Sequence, residues 1–176
     1  MALNGIQIVL RAWQFLWTLL ILSLVGNMIS EAFAGNPSSI NYTMFVAAFS
    51  MLSLLYLIPA SFNPDWAIHP VIMIVVDVLN CLLFFCAAIA LAAKLGAHSC
   101  SNARYILRNE ITNGSLNPAK RCREAQASTA FLWFAWAGCM ASVFISIMMA
   151  RSANVNLRGG GSRGRSSSRR PDMAQV

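Results

Sequence analysis

Acidic side chains and histidines are scarce in this chain of 176 residues. It holds six Asp and Glu and two His beside 13 Lys and Arg, and only 11% of its residues are charged. A soluble domain has about a quarter of its residues charged, so this composition argues against a soluble protein. Acid–base or metal chemistry needs several ionisable groups close together. We therefore predict no enzyme, no catalytic or metal site and no cofactor.

Hydrophobic residues are abundant instead, at 57% of the chain, with a mean hydropathy of +0.59. They form four long runs, and each is close to the ~20 residues that an α-helix needs to cross a bilayer. The fold class that this predicts is an all-α membrane protein, a bundle of four transmembrane helices over residues 1–150. The predicted spans are about 12–30, 42–62, 71–93 and 128–150.

The third run, Val71 to Ala93, carries Asp77 and, three residues on, Asn80. The spacing puts both on one helical face, and a carboxylate in a membrane span turns toward the bundle or toward water. One interpretation is a structural polar site, with Arg11, Asn80 or a serine of the second span as the partner of Asp77. The alternative is a proton or ion site in a small four-span transporter or channel. The structural role is favoured because the predicted spans contain no second acid.

Aromatic and small residues suggest how the spans are anchored and packed. Trp13 and Trp17 lie one turn apart near the predicted start of the first span, where indole rings favour the headgroup boundary, and Arg11 is expected to snorkel to the same level. Small residues recur at every fourth position late in spans three and four, which favours close helix packing. They are Ala88, Ala92 and Gly96, and Gly138, Ser142 and Ser146.

The loop from about residue 94 to 127 holds Cys100 and Cys122. With His98 they make only three ligands for zinc, which normally takes four, so a disulfide is the favoured interpretation. The tail from 151 to 176 is rich in Gly, Ser and Arg and is predicted to be disordered. Within it, Ser166 and Ser168 each follow an Arg by three residues, a pattern that basophilic kinases accept.

Four spans place both termini on one side, with seven Lys and Arg there against six on the other. This balance does not decide the topology by the positive-inside rule. The two loop cysteines and the glycosylation sequons at Asn41 and Asn113 favour an oxidising compartment for the loops. We therefore predict cytoplasmic termini. The basic residues lie between and after the apolar runs, so we predict no nucleic-acid partner.

Several segments resemble the fungal non-classical export protein family, tetraspan proteins with a MARVEL-type domain. The resemblance covers most of residues 1–150. It is most specific in the third loop, and two shorter matches lie in spans two and three. The matching segments are Ala97-His98-Ser99-Cys100-Ser101-Asn102, Tyr105, Asn109-Glu110-Ile111-Thr112, Gly114-Ser115, Arg121-Cys122-Arg123-Glu124-Ala125-Gln126-Ala127, Ala130-Phe131-Leu132, Asn41-Tyr42-Thr43-Met44-Phe45 and Asp77-Val78-Leu79-Asn80.

The resemblance implies a MARVEL-like bundle and a plasma-membrane organiser of eisosomes, the furrow-like membrane domains of fungi. Such proteins respond to sphingolipid status, promote furrow assembly, help retain nutrient transporters and were named for an effect on leaderless secretion. The implied partners are the lipids of a sphingolipid- and sterol-rich bilayer, eisosome scaffold proteins and a second copy of the chain. A claudin-type contact protein is disfavoured, because the loop at 31–41 lacks the Trp and Cys of that family's first loop.

Overall fold

The computed structural model describes residues 2–33, 35–62 and 70–152. Within them the chain forms five helices: α1 (Ala2–Ser30), α2 (Ser38–Phe62), α3 (Pro70–Leu95), α4 (Ala103–Arg108) and α5 (Pro118–Ser152). All but the short α4 are long and apolar enough to cross a membrane. The predicted four-span all-α fold is confirmed.

Two of the spanning helices begin well before the predicted spans. Helix α1 begins at Ala2 rather than near residue 12, because Arg11 is buried inside the bundle and does not end the apolar segment. Helix α5 begins at Pro118 rather than near residue 128. Proline suits the first turn of a helix, and the Asn117 side chain accepts from the Lys120 backbone N–H as an N-cap does. At 35 residues, α5 is about 52 Å long and extends beyond the hydrocarbon layer.

The four long helices form a closed ring in the order α1, α2, α3, α5. Each packs against its two neighbours in that ring, whereas α1 and α3 have no backbone contact and lie on opposite sides of the bundle axis. The short helix α4 packs on the beginning of α5. A side chain that joins α1 to α3 must therefore cross the interior of the bundle.

The bundle interior is divided along its length. The half near the connections α1–α2 and α3–α5, called here the apolar half, is filled mainly by aliphatic side chains, Phe84 and alanines, with Thr43 and Ser128 also buried. The half near the two termini, called the polar half, contains buried polar side chains from all four long helices, beside Leu54 and Leu57 of α2. Its polar residues are Gln7, Arg11, Gln14, Thr18, Ser50, Asp77, Asn80 and Ser142.

Candidate functional site

The inward face of α1 shows how one helix serves both halves. Its buried residues recur every three or four positions, the spacing of a single helical stripe. The first four are polar and the last three are apolar: Gln7, Arg11, Gln14 and Thr18, then Ile21, Val25 and Met28. The polar part of this stripe faces the polar residues of α3 and α5.

Arg11 and Asp77 form an ion pair across the bundle, and each side chain is only 1% exposed. Arg11 Nη1 donates to Asp77 Oδ1 at 2.5 Å and Nη2 donates to Oδ2 at 2.7 Å. Nη1 also donates to Gln14 Oε1 at 3.1 Å. Two parallel hydrogen bonds between a guanidinium and a carboxylate form a strong, directional contact. This pair joins α1 to α3, the two helices whose backbones do not meet.

This geometry corrects the expectation for Arg11. The side chain does not snorkel to a headgroup boundary, because α1 begins nine residues earlier and Arg11 points inward to Asp77. A charge that satisfies a buried acid is more favourably placed there than on the lipid face of the same helix. Arg11 therefore does not count among the basic residues flanking the spans, and the Lys and Arg balance becomes six on each side.

Asn80 has a different partner from Asp77. Ser50 Oγ of α2 donates to Asn80 Oδ1 at 2.8 Å, and both residues are buried. The two polar residues of the third span thus contact two different helices, α1 through Asp77 and α2 through Asn80. Together they fix the rotation of α3 within the ring.

Polar contacts also join α1 to α5. Gln7 Nε2 donates to Ser142 Oγ at 2.8 Å and to Ser146 Oγ at 3.2 Å, and Gln14 Nε2 donates to the Gly138 carbonyl at 3.3 Å. Gly138 also permits close approach, since a Cβ there would lie 2.6 Å from Cδ1 of Trp13. The small residues of α5 therefore accommodate both the Gln side chains and the indole ring of α1.

At the other end of the molecule, the α1–α2 and α3–α5 connections form a compact layer over the apolar half, called here the cap. Cys100 and Cys122 are joined by a disulfide with a Cα–Cα distance of 5.7 Å. Next to it, Arg121 is 1% exposed and donates to the carbonyls of Ile111 and Met28, both at 2.7 Å, and to Asn36 Oδ1 at 2.9 Å. Met28 lies in the last turn of α1, where a cation interacts favourably with the helix dipole. One side chain thus joins α1, the α1–α2 and α3–α5 connections, and α5.

An isolated bridge between Ala32 and Ser115 joins the two connections directly. Beside it, Lys120 donates to the Glu31 carboxylate. That hydrogen bond lowers the pKa of Glu31 below its ordinary value of 4.5. Asn113 is exposed on this cap, while the hydroxyl-bearing residue of its sequon, Ser115, is buried.

Other candidate residues from the sequence lie apart from these contacts. The His98 ring packs on Tyr105 at 4.6 Å between centroids, and no group of three His, Cys, Asp or Glu in the described ranges is arranged to hold a metal ion. Ser166, Ser168 and the predicted tail from 153 onward lie outside the described residues.

Sequence reasoning missed Gln7, Gln14 and Arg121 as interior residues. The first two carried a readable signal, because polar residues at 7, 11, 14 and 18 mark one stripe of an otherwise apolar helix. Arg121 carried no such signal, because it lies in the basic stretch from Lys120 to Arg123, and a stretch of that composition is typical of a solvent-exposed surface.

A ring of four spanning helices, tied internally by an ion pair and closed on one side by a disulfide-linked cap, defines a multi-pass membrane protein. The family model described as membrane-associating domain, MARVEL, matches residues 4–145. This chain belongs to the MARVEL family, and within it to the fungal non-classical export proteins it resembles.

Relatives in three fungi support this assignment over most of the chain. The chain is 41% identical to Non-classical export protein 102 of Candida albicans over 161 residues, 92% of this chain and 89% of that protein. It is 34% identical to Non-classical export protein 2 of Saccharomyces cerevisiae over 140 residues, 79% and 78% of the two chains. It is 29% identical to the Non-classical export protein 2 homolog of Schizosaccharomyces pombe over 149 residues, 84% of this chain and 80% of that protein. No solved structure matches significantly.

Proposed function

We propose that this chain is a non-enzymatic organiser of plasma-membrane domains of the eisosome type. In this role it responds to sphingolipid status, promotes furrow assembly, helps retain transporters and influences the export for which its relatives are named. Its partners are the lipids of a sphingolipid- and sterol-rich bilayer, eisosome scaffold proteins and further copies of itself.

The observation that carries this proposal is the pairing of Arg11 with Asp77 inside the membrane-spanning part of the bundle. The Asp77 carboxylate has both oxygens bound by Arg11, and Asn80 is bound by Ser50. A proton or ion path needs successive groups that exchange partners, whereas mutual pairing of this kind suits a bundle that keeps one shape. Large hydrophobic side chains on the outside of all four long helices, among them Leu16, Leu52, Leu82 and Phe144, are exposed for contact with lipid.

Imaging of a fluorescently tagged copy in a fungal cell tests this proposal. We expect discrete cortical patches that redistribute when sphingolipid synthesis is inhibited. Deleting the gene should reduce furrow number and release a tagged nutrient transporter from the patches. A uniform or internal membrane signal that ignores sphingolipid depletion would contradict the organiser role.

The second candidate is a small transporter or channel that uses Asp77, and a carboxylate 1% exposed within a spanning helix is the observation in its favour. Purified protein in vesicles with a pH-sensitive dye distinguishes the two. We expect no flux above protein-free vesicles. A proton or ion flux that Asp77→Asn abolishes would replace the organiser with the transporter.

We also propose that both termini lie in the cytoplasm, with the cap on the outside. The Cys100–Cys122 disulfide supports this, because such bonds persist in oxidising compartments. The exposed Asn113 then becomes a glycan acceptor. We expect a mobility shift that glycosidase removes and that Asn113→Gln lacks, whereas protease digestion of a C-terminal tag on intact cells would contradict the orientation.

The residues from 153 onward complete the proposal as a basic cytoplasmic tail. Its arginines suit anionic lipids of the inner leaflet, which contribute about 1 kcal/mol per basic residue near the surface. Phosphate on Ser166 and Ser168 would weaken that attraction. Ser166→Ala with Ser168→Ala should change patch distribution without changing insertion, and removal of residues 153–176 should do the same. Rapid degradation of the truncated protein would argue against a peripheral tail.

A further inference from the structure

The glycosylation sequon of the cap, Asn113-Gly114-Ser115, is exposed only at its first residue. Asn113 lies on the surface, whereas Gly114 and Ser115 are buried, and the exposed fraction of Ser115 is 3%. A sequon requires a hydroxyl at its third position, so the enzyme that transfers the glycan must reach both ends of it. In the folded cap the amide of Asn113 is accessible and the hydroxyl of Ser115 is not.

Backbone contacts hold the sequon in this position. The Phe33 N–H of the α1–α2 connection donates to the Gly114 carbonyl at 3.2 Å. On the preceding side, the Asn113 N–H donates to the Asn109 carbonyl at 3.0 Å, and Thr112 is fully buried. The segment therefore cannot extend into the active site of a transferase without breaking contacts on both sides of the acceptor.

The Ser115 hydroxyl does not help to hold the folded cap together. Its Oγ is buried and makes no hydrogen bond within the part of the chain that the structure describes. A buried polar atom without a partner lowers stability, and an alanine in its place would avoid that cost. The hydroxyl therefore suits a step that takes place before the cap closes, while it is still accessible.

The disulfide favours the closed cap, and the sequon lies inside the segment that it closes. Cys100 and Cys122 are 22 residues apart, with Asn113 between them. Beside Cys122, Arg121 Nε donates to the Ile111 carbonyl at 2.7 Å, two residues before the acceptor. Formation of the bond thus holds the beginning of α5 against the segment that leads into the sequon.

We propose that Asn113 accepts a glycan only while the cap is open, so that formation of the Cys100–Cys122 disulfide ends the reaction. In the transfer, the bond from the anomeric carbon of the sugar to the phosphate oxygen of a lipid-diphosphate donor breaks, and a bond from that carbon to Asn113 Nδ2 forms. The amide releases one proton, and the lipid diphosphate leaves with the bonding electrons. The inference rests on the orientation proposed above, which places the cap in the compartment where disulfides form.

Transfer to the purified protein in its two redox states tests this inference. Full-length protein from cells in which glycan transfer is blocked carries the disulfide, and a thiol reductant followed by alkylation opens it. Both forms are incubated with a purified transferase and a lipid-diphosphate oligosaccharide. We expect the reduced form to be modified roughly a hundredfold faster, the factor by which a disulfide closing a loop of this length shifts an opening equilibrium. Equal rates for the two forms would overturn the proposal.

Matched variants locate the modification and control for the enzyme. Asn113→Gln and Ser115→Ala should both abolish transfer to the reduced form. Ser115→Ala should melt no lower than the wild type, because the hydroxyl makes no bond that the substitution removes. Asn41→Gln, in the sequon of α2, should leave transfer unchanged, and a sequon added after Val176 should be modified equally in both redox forms. Transfer that survives Asn113→Gln would also contradict the proposal.

The result in cells separates this inference from the orientation on which it rests. With the cap outside, the protein should carry a glycan in cells when Cys100 and Cys122 are both replaced by serine. A protein that shows the difference between the redox forms in vitro, yet carries no glycan in cells even with both substitutions, would contradict the orientation while supporting control of the sequon by the cap.

Discussion

The helices around the polar half and around the apolar half of the bundle interior are held together by different kinds of contact. Around Arg11 and Asp77, helices are joined by hydrogen bonds within the membrane span. Around Val25, Phe84 and Leu132, the interior is largely aliphatic and aromatic. Lipid tails are as apolar as leucine, so apolar side chains gain little by facing one another instead of lipid. Polar pairs do specify which helices meet, and by which faces.

The cap explains how the helices around the apolar half are held in one arrangement without interior hydrogen bonds of this kind. Arg121 contacts the end of α1 and both connections, and the disulfide joins the segment after α3 to the beginning of α5. These contacts lie outside the aliphatic interior yet hold the ends of three of its helices. Buried side chains therefore hold the polar half together from within, whereas the connections hold the apolar half together from its end.

The largest expected effect comes from removing one member of the interior ion pair. Asp77→Leu leaves the Arg11 guanidinium buried without a counter-charge, which costs about 3–5 kcal/mol. The purified variant should lose its monodisperse size-exclusion peak at a much lower temperature than the wild type. Arg11→Leu combined with Asp77→Leu should recover most of the loss. A single variant as stable as the wild type would show that the polar half is not held by this pair.

Removing the disulfide should have the next largest effect, confined to the cap. The bond closes a separation of 22 residues, which contributes roughly 3 kcal/mol in the chain-entropy model. Cys100→Ser with Cys122→Ser should expose residues 96–117 to protease and lower the melting temperature. Cys86→Ser is the matched control, because Cys86 is a free, exposed cysteine of α3. Mass spectrometry under non-reducing conditions that finds both loop cysteines free in surface protein would contradict the bond.

Glycine-to-alanine substitutions in the two halves should have opposite signs. Gly138→Ala places a Cβ 2.6 Å from the Trp13 ring, and such overpacking costs about 1–3 kcal/mol. Gly26→Ala meets nothing within 4 Å and gains up to about 1 kcal/mol in helix propensity. Thermal stability of the two purified variants measures both. If both substitutions stabilise, Gly138 is not needed for close approach of α1 and α5.

The smallest expected effect is the pH dependence of the Glu31–Lys120 pair at the edge of the cap. Because this pairing lowers the pKa of Glu31 below 4.5, its stabilising contribution is present above 4.5 and is lost as the pH falls through the lowered value. Glu31→Gln should therefore melt slightly below the wild type at neutral pH, and the difference should vanish in acid. High salt should also reduce it, since both groups are partly exposed. A difference that grows in acid would contradict the pairing.

The number and type of the spanning helices follow from the sequence alone. An apolar run of this length satisfies its backbone only as a helix in a bilayer, so hydropathy alone identifies four spans, and the same reasoning turns Asp77 inward. The helix starts were less predictable. A charge at Arg11 looked like a boundary, and the polar beginning of α5 looked like a loop.

Which polar groups meet, by contrast, depends on the packing of the helices against one another. The sequence is compatible with Arg11, Asn80 or a serine of the second span as the partner of Asp77. The structure shows that the partner is Arg11, which reaches Asp77 across the bundle interior because α1 lies opposite α3 in the ring. The burial of Arg121 likewise follows from how the two connections lie against the ends of α1 and α5. Insertion into a bilayer depends on each segment's own hydrophobicity, whereas the order of helices around the ring depends on side-chain contacts between segments distant in the chain.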